Sequence, residues 1–571
     1  MKADPPRQAP LLAAAFARHV TDWARTLQAP EAAVQAAARA ARDTSLATSA
    51  GHVCLLLEAA GDPRAQRALL LASGVVGTPA QPGAMPLVLD DDQRLYLHRY
   101  FDLERRLAQR LQRAATAPVT APDQAGADLL NTLFGNAPDA AQAQQRAAVA
   151  MALAGRLTVI SGGPGTGKTT TIVNLLACLL AQDPHARIAM AAPTGKAAAR
   201  MSQAVRERSA HLPAAVRALL PTQASTVHRL LGATPDGGFV HDAGHRLALS
   251  VLVVDEASML DLALATRLLE AVPDEARIVL LGDKDQLAAV ESGSVFADLC
   301  ARVTPATLAR RVVTLEHNFR FRAESAIGQL ARHVRAGRAD AAVDTLRAGG
   351  DGSLRWLDSA LPTPWPAMQA GLAPYLGAVA TGDLQPIERA WAGFRVLCAV
   401  NEGPQGATAV NAALTAWART QLGAMDAAPL SAWYPGRPVM VLRNDPALAL
   451  FNGDIGLTLA DPAAGGELRV FFATPDGAWR ALAPARLPEH GTAYAMTVHK
   501  AQGSEFDQAL LLLPAQGSTV LSRELLYTAV TRVRHGLTVC GSAAVLAQAV
   551  AQPTQRQSGL RARLVEAGGV P

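Results

Sequence analysis

The segment LTVISGGPGTGKTTTIVNLLACLL (157–180) joins three patterns in one run. A short apolar stretch, typical of a buried strand, leads into a glycine-rich loop, and an apolar helical pattern follows at once. The loop matches GxxxxGK[ST] between a strand and a helix, which is the context in which such a loop binds phosphate. The sequence therefore predicts a nucleotide-binding loop made of Gly162, Gly163, Pro164, Gly165, Thr166, Gly167, Lys168 and Thr169.

Each part of this loop has a physical role. Glycines let backbone N–H groups turn towards phosphate oxygens, and the positive end of the next helix points at the same charge. Lys168 is expected to reach the β and γ phosphates of a bound triphosphate, and Thr169 to offer its hydroxyl to Mg²⁺. The alternative is a glycine loop that matches the pattern by chance.

A second apolar run, LSVLVVDEA (249–257), ends in the carboxylates Asp255 and Glu256. At the carboxyl end of a strand, Asp255 is placed to hold Mg²⁺ through water, because this ion keeps much of its hydration. Glu256 is placed to orient and deprotonate an attacking water molecule. The alternative is a pair of acids that cap the next helix.

A third apolar run, RIVLLGD (277–283), is followed by Gln286. A glutamine side chain there can hydrogen-bond a γ-phosphate or the attacking water and so report whether it is present. The alternative is an ordinary helix cap within a solvated charge cluster. The position of Gln286, one strand after the two carboxylates, favours the catalytic interpretation.

The alternation of short apolar runs with helical patterns divides the chain. It predicts an α/β protein with two parallel sheets, one in residues 136–325 and one in residues 326–571. A stretch rich in short strands and tight-turn signals predicts a small β insertion, SH3-like, at about residues 430–490. Residues 1–115 show helical spacing and predict a helical N-terminal domain, and residues 116–135 predict a linker.

Composition sets limits on the class of protein. The chain has 571 residues, 50% of them hydrophobic, and a net charge of +5, which fits a polyanionic partner without identifying one. The N-terminus lacks a signal-peptide pattern, and no apolar run is long enough for a membrane span. The cysteines form no CxxC pair, which favours a reducing, cytoplasmic location without structural zinc; they are Cys54, Cys178, Cys300, Cys398 and Cys540.

The order of the remaining motifs resembles helicase superfamily 1, and within it the RecD family. The similarity extends over about three-quarters of the chain, from residue ~130 to ~560. The matching segments are AQQRAAVAMAL with Gln145, APTGKAAARM (192–201), STVHRLLG (225–232), VVDEASM (253–259), LGDKDQLAAVESG (281–293), LEHNFRF (315–321), MTVHKAQGSEFD (496–507) and LLYTAVTRVRHGL (525–537).

This resemblance implies residue roles that spacing alone does not give. Gln145 would read the adenine base, and Arg320 and Arg532 would act as arginine fingers from the second α/β unit. Lys500 and Glu505 could couple the DNA-binding face to the nucleotide. The strand-binding face would include Thr194, Lys196, Thr226, His228, Thr497 and His499. For single residues the alternatives are threonine helix caps, satisfied core histidines and surface arginines.

The resemblance also implies a function. The chain would be an ATP-dependent 5′→3′ DNA helicase or translocase, using ATP and Mg²⁺, in a RecBCD-type helicase–nuclease for double-strand break repair and recombination. RecB- and RecC-like subunits would be its partners, with the N-terminal domain docked on the RecC-like one and the β insertion beside the DNA path. No clustered acids followed by a lysine remain for a nuclease site in this chain.

Three alternatives stay open at the level of sequence. A stand-alone RecD-like helicase would need no partner subunits, but such relatives tend to carry a longer N-terminal extension. A nucleotide-gated scaffold would use ATP only as a switch; it could lose Glu256, whereas this chain retains it together with both arginines. An ATPase acting on protein or RNA is disfavoured by the motifs assigned to the DNA strand.

Overall fold

The computed structural model describes residues 9–57, 62–135, 138–234, 236–289, 291–301, 305–321, 325–358, 364–424, 431–445, 447–474 and 478–568. Two parallel sheets dominate this structure, and they confirm the α/β class predicted from the sequence. None of the described helices is long and apolar enough to cross a membrane.

The N-terminal unit combines helices with a small sheet. Its elements are α1 (Ala9–Thr26), α2 (Glu31–Ser49), β1 (Cys54–Leu56), α3 (Pro63–Leu71), β2 (Val76–Gly77), β3 (Leu87–Leu89), β4 (Arg94–Leu97) and α4 (His98–Thr116). The strands lie in the order β1-β4-β3-β2. The expectation of a purely helical N-terminal domain is therefore wrong. Strands of two to four residues are too short to show a period of two.

A helix also occupies most of the segment predicted as a linker. After Asp123, whose carboxylate accepts a hydrogen bond from the Gly126 N–H, the chain forms α5 (Gln124–Phe134). Leu129, Leu130 and Phe134 pack into the core of the first α/β domain. The linker expectation is wrong for these residues, because their apolar side chains are buried against that domain.

The first α/β domain has a six-stranded sheet. Its elements are α6 (Ala140–Ala154), β5 (Leu157–Gly162), α7 (Lys168–Gln182), β6 (Ile188–Ala192), α8 (Gly195–Arg208), α9 (Ala214–Leu219), β7 (Ser225–Thr226), α10 (Val227–Leu231), β8 (Val251–Val254), α11 (Leu262–Ala271), β9 (Arg277–Gly282), α12 (Val295–Leu299), α13 (Ala306–Ala309) and β10 (Val312–Leu315). All strands are parallel, in the order β10-β5-β9-β8-β6-β7. Alternate residues of β8 enter two different cores, so the sheet is buried on both faces.

The second half of the chain contains the other two sheets. Its elements are α14 (Ala326–Arg335), α15 (Ala339–Ala348), β11 (Leu354–Leu357), α16 (Trp365–Val379), α17 (Leu384–Gly393), β12 (Phe394–Cys398), α18 (Ala407–Gln421), β13 (Pro438–Val441), β14 (Ile455–Asp461), β15 (Glu467–Ala473), β16 (Trp479–Leu482), β17 (His490–Thr492), β18 (Ala495–Thr497), β19 (Phe506–Leu512), α19 (Arg523–Val530), β20 (Val533–Cys540), α20 (Ala543–Ala551) and α21 (Leu560–Ala567). The order β11-β20-β19-β12-β18 forms a parallel sheet, the second α/β domain.

The predicted β insertion is an antiparallel sheet of five strands. They lie in the order β16-β15-β14-β13-β17, between α18 and β18 of the second domain. Its core includes Val439, Val441, Val470 and Phe472. The insertion returns the chain directly into β18, so its position is tied to the edge of the second parallel sheet.

The C-terminal helix packs away from the second domain. Leu560 and Leu564 of α21 share a core with Leu107 and Leu111 of α4. Before this helix, the hydroxyl of Ser558 and the N–H of Gly559 donate to the buried Glu104 carboxylate at 2.8 and 3.0 Å. The expected extent of the second domain, 326–571, is therefore too long. The last turns of the chain complete the N-terminal unit.

Leu564→Ala is expected to destabilise this junction. Leu564 is 0% exposed, and removing its side chain in a close-packed core typically costs about 2–5 kcal/mol. Hydrogen exchange of the α4 and α21 amides, together with the melting temperature, measures the loss. Val565→Ala is the matched control, because Val565 is 53% exposed and its truncation should change stability by only about 0.5 kcal/mol. Equal effects of the two substitutions would contradict the packing of α21 on α4.

Candidate active site

The phosphate loop lies between β5 and α7, as the sequence predicts. Gly165 and Gly167 both have φ of +83°, in the left-handed region that favours glycine. The Thr166 hydroxyl donates to the Gly163 carbonyl at 2.8 Å, which stabilises the turn. An added Cβ at Gly167 would collide with the amide nitrogen of Gln145, so this position has no room for a side chain.

Lys168 begins α7 and folds back over the loop, and Thr169 follows it in the same helix. The Lys168 ammonium donates to the carbonyl oxygens of Gly162 and Gly163. Burial raises the pKa of two acids on the neighbouring strand ends, Asp255 and Asp283, and the Lys168 charge opposes this shift in both. The lysine therefore lies between the loop and the carboxylates, where it can exchange carbonyl oxygens for phosphate oxygens.

Two carboxylates follow β8. Asp255 accepts a hydrogen bond from the N–H of Glu256 at 2.8 Å. Burial raises the pKa of Asp255, and the neighbouring Glu256 charge acts in the same direction. Glu256 has a φ of +51°, which is strained for a residue with a side chain, and such strain is concentrated at functional sites. The strained residue therefore stands directly beside Asp255, whose carboxylate is within reach of the Lys168 charge.

A third carboxylate, Asp283, is one that the sequence reasoning missed. It follows β9, which pairs with β5 and β8, and is 2% exposed. It accepts hydrogen bonds from the Asp285 N–H and from the Gln286 side chain, both at 3.0 Å. The signal that could have found it is its place directly after an apolar strand, the same signal that identified Asp255.

Gln286 and Arg532 meet across the two domains. Arg532 follows α19 of the second domain and is 2% exposed. Its guanidinium donates to the side-chain oxygen of Gln286 at 3.0 Å and to the Ser504 carbonyl at 3.3 Å. Burial lowers the pKa of Arg532, and Glu256 and Glu505 oppose the shift. Arg532 therefore reaches from the second domain to the edge of the first domain that carries the phosphate loop, as expected.

Arg320 belongs to the first domain, so the expectation that both arginines come from the second unit is wrong. It follows β10, which pairs with β5 at the edge of the first sheet. The preceding residues are bound to the phosphate loop: the Asn318 amide donates to the Pro164 carbonyl at 2.8 Å, and the Phe319 N–H donates to the Gly165 carbonyl at 2.7 Å.

Only the side chain of Arg320 crosses the cleft. Its guanidinium donates to the Glu505 carboxylate and to the Thr531 carbonyl, both in the second domain. The four-residue edge strand β10 lies within the bounds predicted for the first domain, 136–325, whereas the family resemblance had assigned Arg320 to the second unit. Arg320 therefore joins the phosphate loop to the second domain. It does so from the first domain, whereas the prediction had it reach across from the second.

Gln145 and Phe319 both lie beside Gly167 of the phosphate loop. The Gln145 amide, on α6, donates to the Thr166 carbonyl at 3.4 Å and is 6% exposed. Phe319 is 57% exposed and lies 3.4 Å from where a Cβ on Gly167 would stand. An exposed aromatic ring beside an amide can stack on a base while the amide reads its edge. The sequence reasoning missed Phe319; its place between Asn318 and Arg320 was the available signal.

The threonines expected to bind a DNA strand stand at the carboxyl ends of strands. Thr194 caps α8 by accepting from the Ala197 N–H, and Thr226 caps α10 by accepting from the Arg229 N–H, each at 3.2 Å. Thr497, at the end of β18, accepts from the Lys500 N–H at 3.3 Å. The helix-cap alternative therefore holds for Thr194 and Thr226. The N-termini of α8 and α10 therefore both lie at one edge of the first sheet.

Lys196 and the two histidines have different surroundings. Burial lowers the pKa of Lys196 to about 8, and the carboxylate of Asp454 in the β insertion opposes this shift. His228 is exposed, with its ring 5.9 Å from that of Phe239. His499 is half-buried, and burial lowers its pKa. Neither histidine is a fully buried core residue, so the core alternative is wrong for both.

Helix α19 closes the cleft over the phosphate loop. A Cβ added to Gly163 would lie 2.6 Å from the Tyr527 hydroxyl, which also faces Asp283. The Thr528 hydroxyl accepts a hydrogen bond from the Leu287 N–H, and Gln502 donates to the Leu287 carbonyl, both at 3.0 Å. The two α/β domains therefore meet at the strand ends that carry the polar groups.

The fold and this site define a P-loop nucleotide hydrolase of the helicase type, with two RecA-like domains. Two family models match the chain: "AAA domain" over residues 145–292 and "UvrD-like helicase C-terminal domain" over residues 492–540. The second match covers the loop and strands that follow the β insertion.

Curated relatives specify the family. The chain is 41% identical over 541 residues to the RecBCD enzyme subunit RecD of Mycobacterium tuberculosis, covering 92% of this chain and 88% of that protein. Identity to the same subunit of Mycolicibacterium smegmatis is 39%, with 94% of each chain covered. Identity to the ATP-dependent RecD2 DNA helicase of Deinococcus radiodurans is 34%, covering 81% of this chain and 57% of that protein. The chain belongs to the RecD family.

Gly163→Ala is expected to slow nucleotide hydrolysis by about tenfold or more, because displacing reacting groups by about an ångström has costs of this size. The added methyl would press on the Tyr527 hydroxyl and push α19 away from the loop. Tyr527→Phe in the same chain removes that hydroxyl and should restore most of the rate, with Tyr527→Phe alone as the control. A double variant as slow as Gly163→Ala would contradict this contact.

Proposed function

We propose that this chain is an ATP-dependent 5′→3′ DNA helicase and translocase, a RecD-type subunit of a RecBCD-type helicase–nuclease. Its processes would be double-strand break repair and homologous recombination. The observation that carries the proposal is the convergence of Lys168, Asp255 and Arg532 at one site between two RecA-like sheets. A site completed from both domains can open and close with each hydrolysis cycle.

In this proposal, Lys168 holds the β and γ phosphates of ATP, and Gln145 reads the adenine. Thr169 and Asp255 hold Mg²⁺, which supplies charge neutralisation for phosphoryl transfer. These two residues suit Mg²⁺ because they offer a hydroxyl oxygen and a carboxylate oxygen beside the loop, and Mg²⁺ prefers oxygen ligands. Asp283, on the next strand end, adds a further oxygen donor within reach of the Lys168 charge.

Hydrolysis would rest on four side chains around the γ-phosphate. Glu256 orients and deprotonates water, and Gln286 reports the phosphate to the second domain through Arg532. Arg320 and Arg532 stabilise the charge that develops in the transition state. The hydrogen bond between Gln286 and Arg532 supports this assignment, because it links the reporting amide of the first domain to the second domain.

The strand-binding face is proposed to run over both domains. Thr194, Lys196, Thr226 and His228 would contribute from the first, and Thr497 and His499 from the second. Helix N-termini at the sheet edge and hydroxyl groups are suited to bind DNA phosphates, and such contacts do not depend on the base sequence. The β insertion would be an SH3-like module beside this path; Phe451 supports it, since its ring lies 3.4 Å from where a Cβ on Gly195 would stand.

We further propose RecB- and RecC-like partner subunits and a cytoplasmic location. The chain is 41% and 39% identical to two mycobacterial proteins named RecBCD enzyme subunit RecD but 34% identical to the ATP-dependent RecD2 DNA helicase, which favours the complex over a stand-alone helicase. Leu11 and Leu12 of α1 are 73% and 65% exposed, which supports docking through the N-terminal unit. All five cysteines are free, as a reducing compartment requires. Nuclease activity would reside in the RecB-like partner.

ATP hydrolysis by the purified chain, with and without single-stranded DNA, tests the motor. Lys168→Gln should abolish a strong strand stimulation, lowering the rate by about a hundredfold or more, because a point charge on the transferred phosphate is lost. Thr170→Ala is the control: this residue lies further along α7, where its hydroxyl accepts from Arg208, and its loss should leave the stimulation intact.

If the isolated chain shows no stimulation, the same comparison is made in the complex with its RecB- and RecC-like partners. A complex that hydrolyses ATP and unwinds DNA at the same rate with Lys168→Gln would contradict the motor proposal. The chain would then be a scaffold.

Strand affinity should depend on pH through Lys196. Its pKa, lowered by burial to about 8, leaves the ammonium charged below that pH and neutral above it. Between pH 7 and pH 9 the affinity for single-stranded DNA should fall by up to about tenfold, since pH 9 lies about one unit above this pKa. Lys196→Arg stays charged at both values and should lose much less affinity. Equal losses in the two proteins would show that Lys196 is not the titrating contact.

A further inference from the structure

Glu505, at the end of the loop before β19, accepts hydrogen bonds from three arginines. Its Oε1 atom pairs with Arg200 at 2.7 Å and, more closely, with Arg320, and its Oε2 atom pairs with Arg534 at 3.2 Å. Burial alone would raise the pKa of Glu505, but Arg200 and Arg320 hold it well below its usual range. The carboxylate is 11% exposed and therefore fixed as an anion among these cations.

The three arginines come from different places. Arg200 lies in α8 and Arg320 follows β10, so both belong to the first domain. Arg534 lies in β20 of the second domain, which also supplies Glu505. Arg200 makes a second contact with the same loop, donating to the Gly503 carbonyl at 3.0 Å. The carboxylate is thus a junction between α8, the segment that carries Arg320, and the second domain.

The Arg320 guanidinium cannot pair fully with the Glu505 carboxylate and with a phosphate at the same time. Its backbone lies against the phosphate loop, since a Cβ on Gly165 would stand 2.5 Å from the Arg320 Cβ. Its guanidinium, however, is directed at Glu505 and the Thr531 carbonyl. A buried carboxylate competes strongly with a phosphate for a guanidinium, because both accept charge-assisted hydrogen bonds from it. Whatever weakens the hold of Glu505 on Arg320 makes this arginine more available.

Arg200 is the group that can weaken this hold. It already pairs with the same Oε1 atom at 2.7 Å, so the better this pair is aligned and held, the less negative charge remains to retain Arg320. Arg200 lies in α8, which Thr194 caps and which carries Lys196 in its first turn, on the proposed strand-binding face. A strand bound at the start of α8 would set the position of Arg200, because helix and side chain move together.

We propose that Arg200 is a positioning residue for ATP hydrolysis: by competing for Glu505, it releases Arg320 to the γ-phosphate when a DNA strand is bound. This inference rests on the proposed function and adds the route by which strand binding reaches the arginine. Arg200 acts through Glu505 and does not itself contact the reacting atoms.

A double-mutant cycle on the full chain tests this route, with kcat and KM for ATP measured with and without oligo(dT). Arg200→Ala should lower the strand-stimulated kcat by about tenfold while KM changes by less than about twofold. Glu505→Gln should raise the strand-free kcat by about threefold or more and reduce strand stimulation. The double variant should behave like Glu505→Gln, because without the carboxylate there is nothing left for Arg200 to compete for.

Arg534→Ala is the matched control. Arg534 pairs with the same carboxylate from within the second domain, so its loss should change both rates by the same factor and leave the stimulation ratio intact. Additive losses in the Arg200→Ala/Glu505→Gln variant, or a lower strand-free rate in Glu505→Gln, would overturn the inference alone. Lys168-dependent hydrolysis that ignores DNA both in the isolated chain and in the complex with its partners would overturn the proposed function. The strand-free effect of Glu505→Gln would still decide whether Glu505 retains Arg320.

Discussion

The parallel pairing of β5, β9 and β8 is the constraint on which the site depends. Their register aligns Ser161 with Gly282 and Val254 with Leu280, so the phosphate loop, Asp283 and Asp255 all emerge at one edge of the sheet. Parallel strands require both faces to be covered, and two separate cores supply that cover. Because the backbone of this edge is buried and fixed, the polar groups need little reorganisation to meet a triphosphate.

The second domain completes this edge through a few buried polar contacts. Arg532, Thr528 and Gln502 all bind within the short segment from Gln286 to Leu287. An unpaired buried guanidinium would be costly, so Arg532 holds the two domains together as long as no phosphate offers a better partner. The hydrogen bond between Arg532 and Gln286, which stabilises the closed cleft, is therefore also the contact that a nucleotide phosphate can replace.

The sequence predicted what is local and missed what depends on distant partners. The phosphate loop, Asp255, Glu256 and Gln286 follow apolar strands directly, so short patterns locate them. Arg320 was assigned to the second unit on the family resemblance alone, although the predicted bounds of the first domain, 136–325, include both this residue and the short strand β10. The N-terminal sheet was missed because its strands are too short to show a period of two. Helix α5 and the docking of α21 on α4 were missed because each depends on packing against residues far away in the chain.

The Glu505 carboxylate explains how several arginine side chains can lie close together in the cleft. Arg200, Arg320 and Arg532 converge on the cleft, and like charges so close repel strongly at low dielectric. The Glu505 carboxylate, with Asp255 and Glu256 nearby, offsets that repulsion. In the proposed function, a γ-phosphate would bring the same kind of charge to Arg320 and Arg532. The Glu505 carboxylate would then hold the electrostatic role that the phosphate takes over, and exchange between the two would leave no buried cation unpaired.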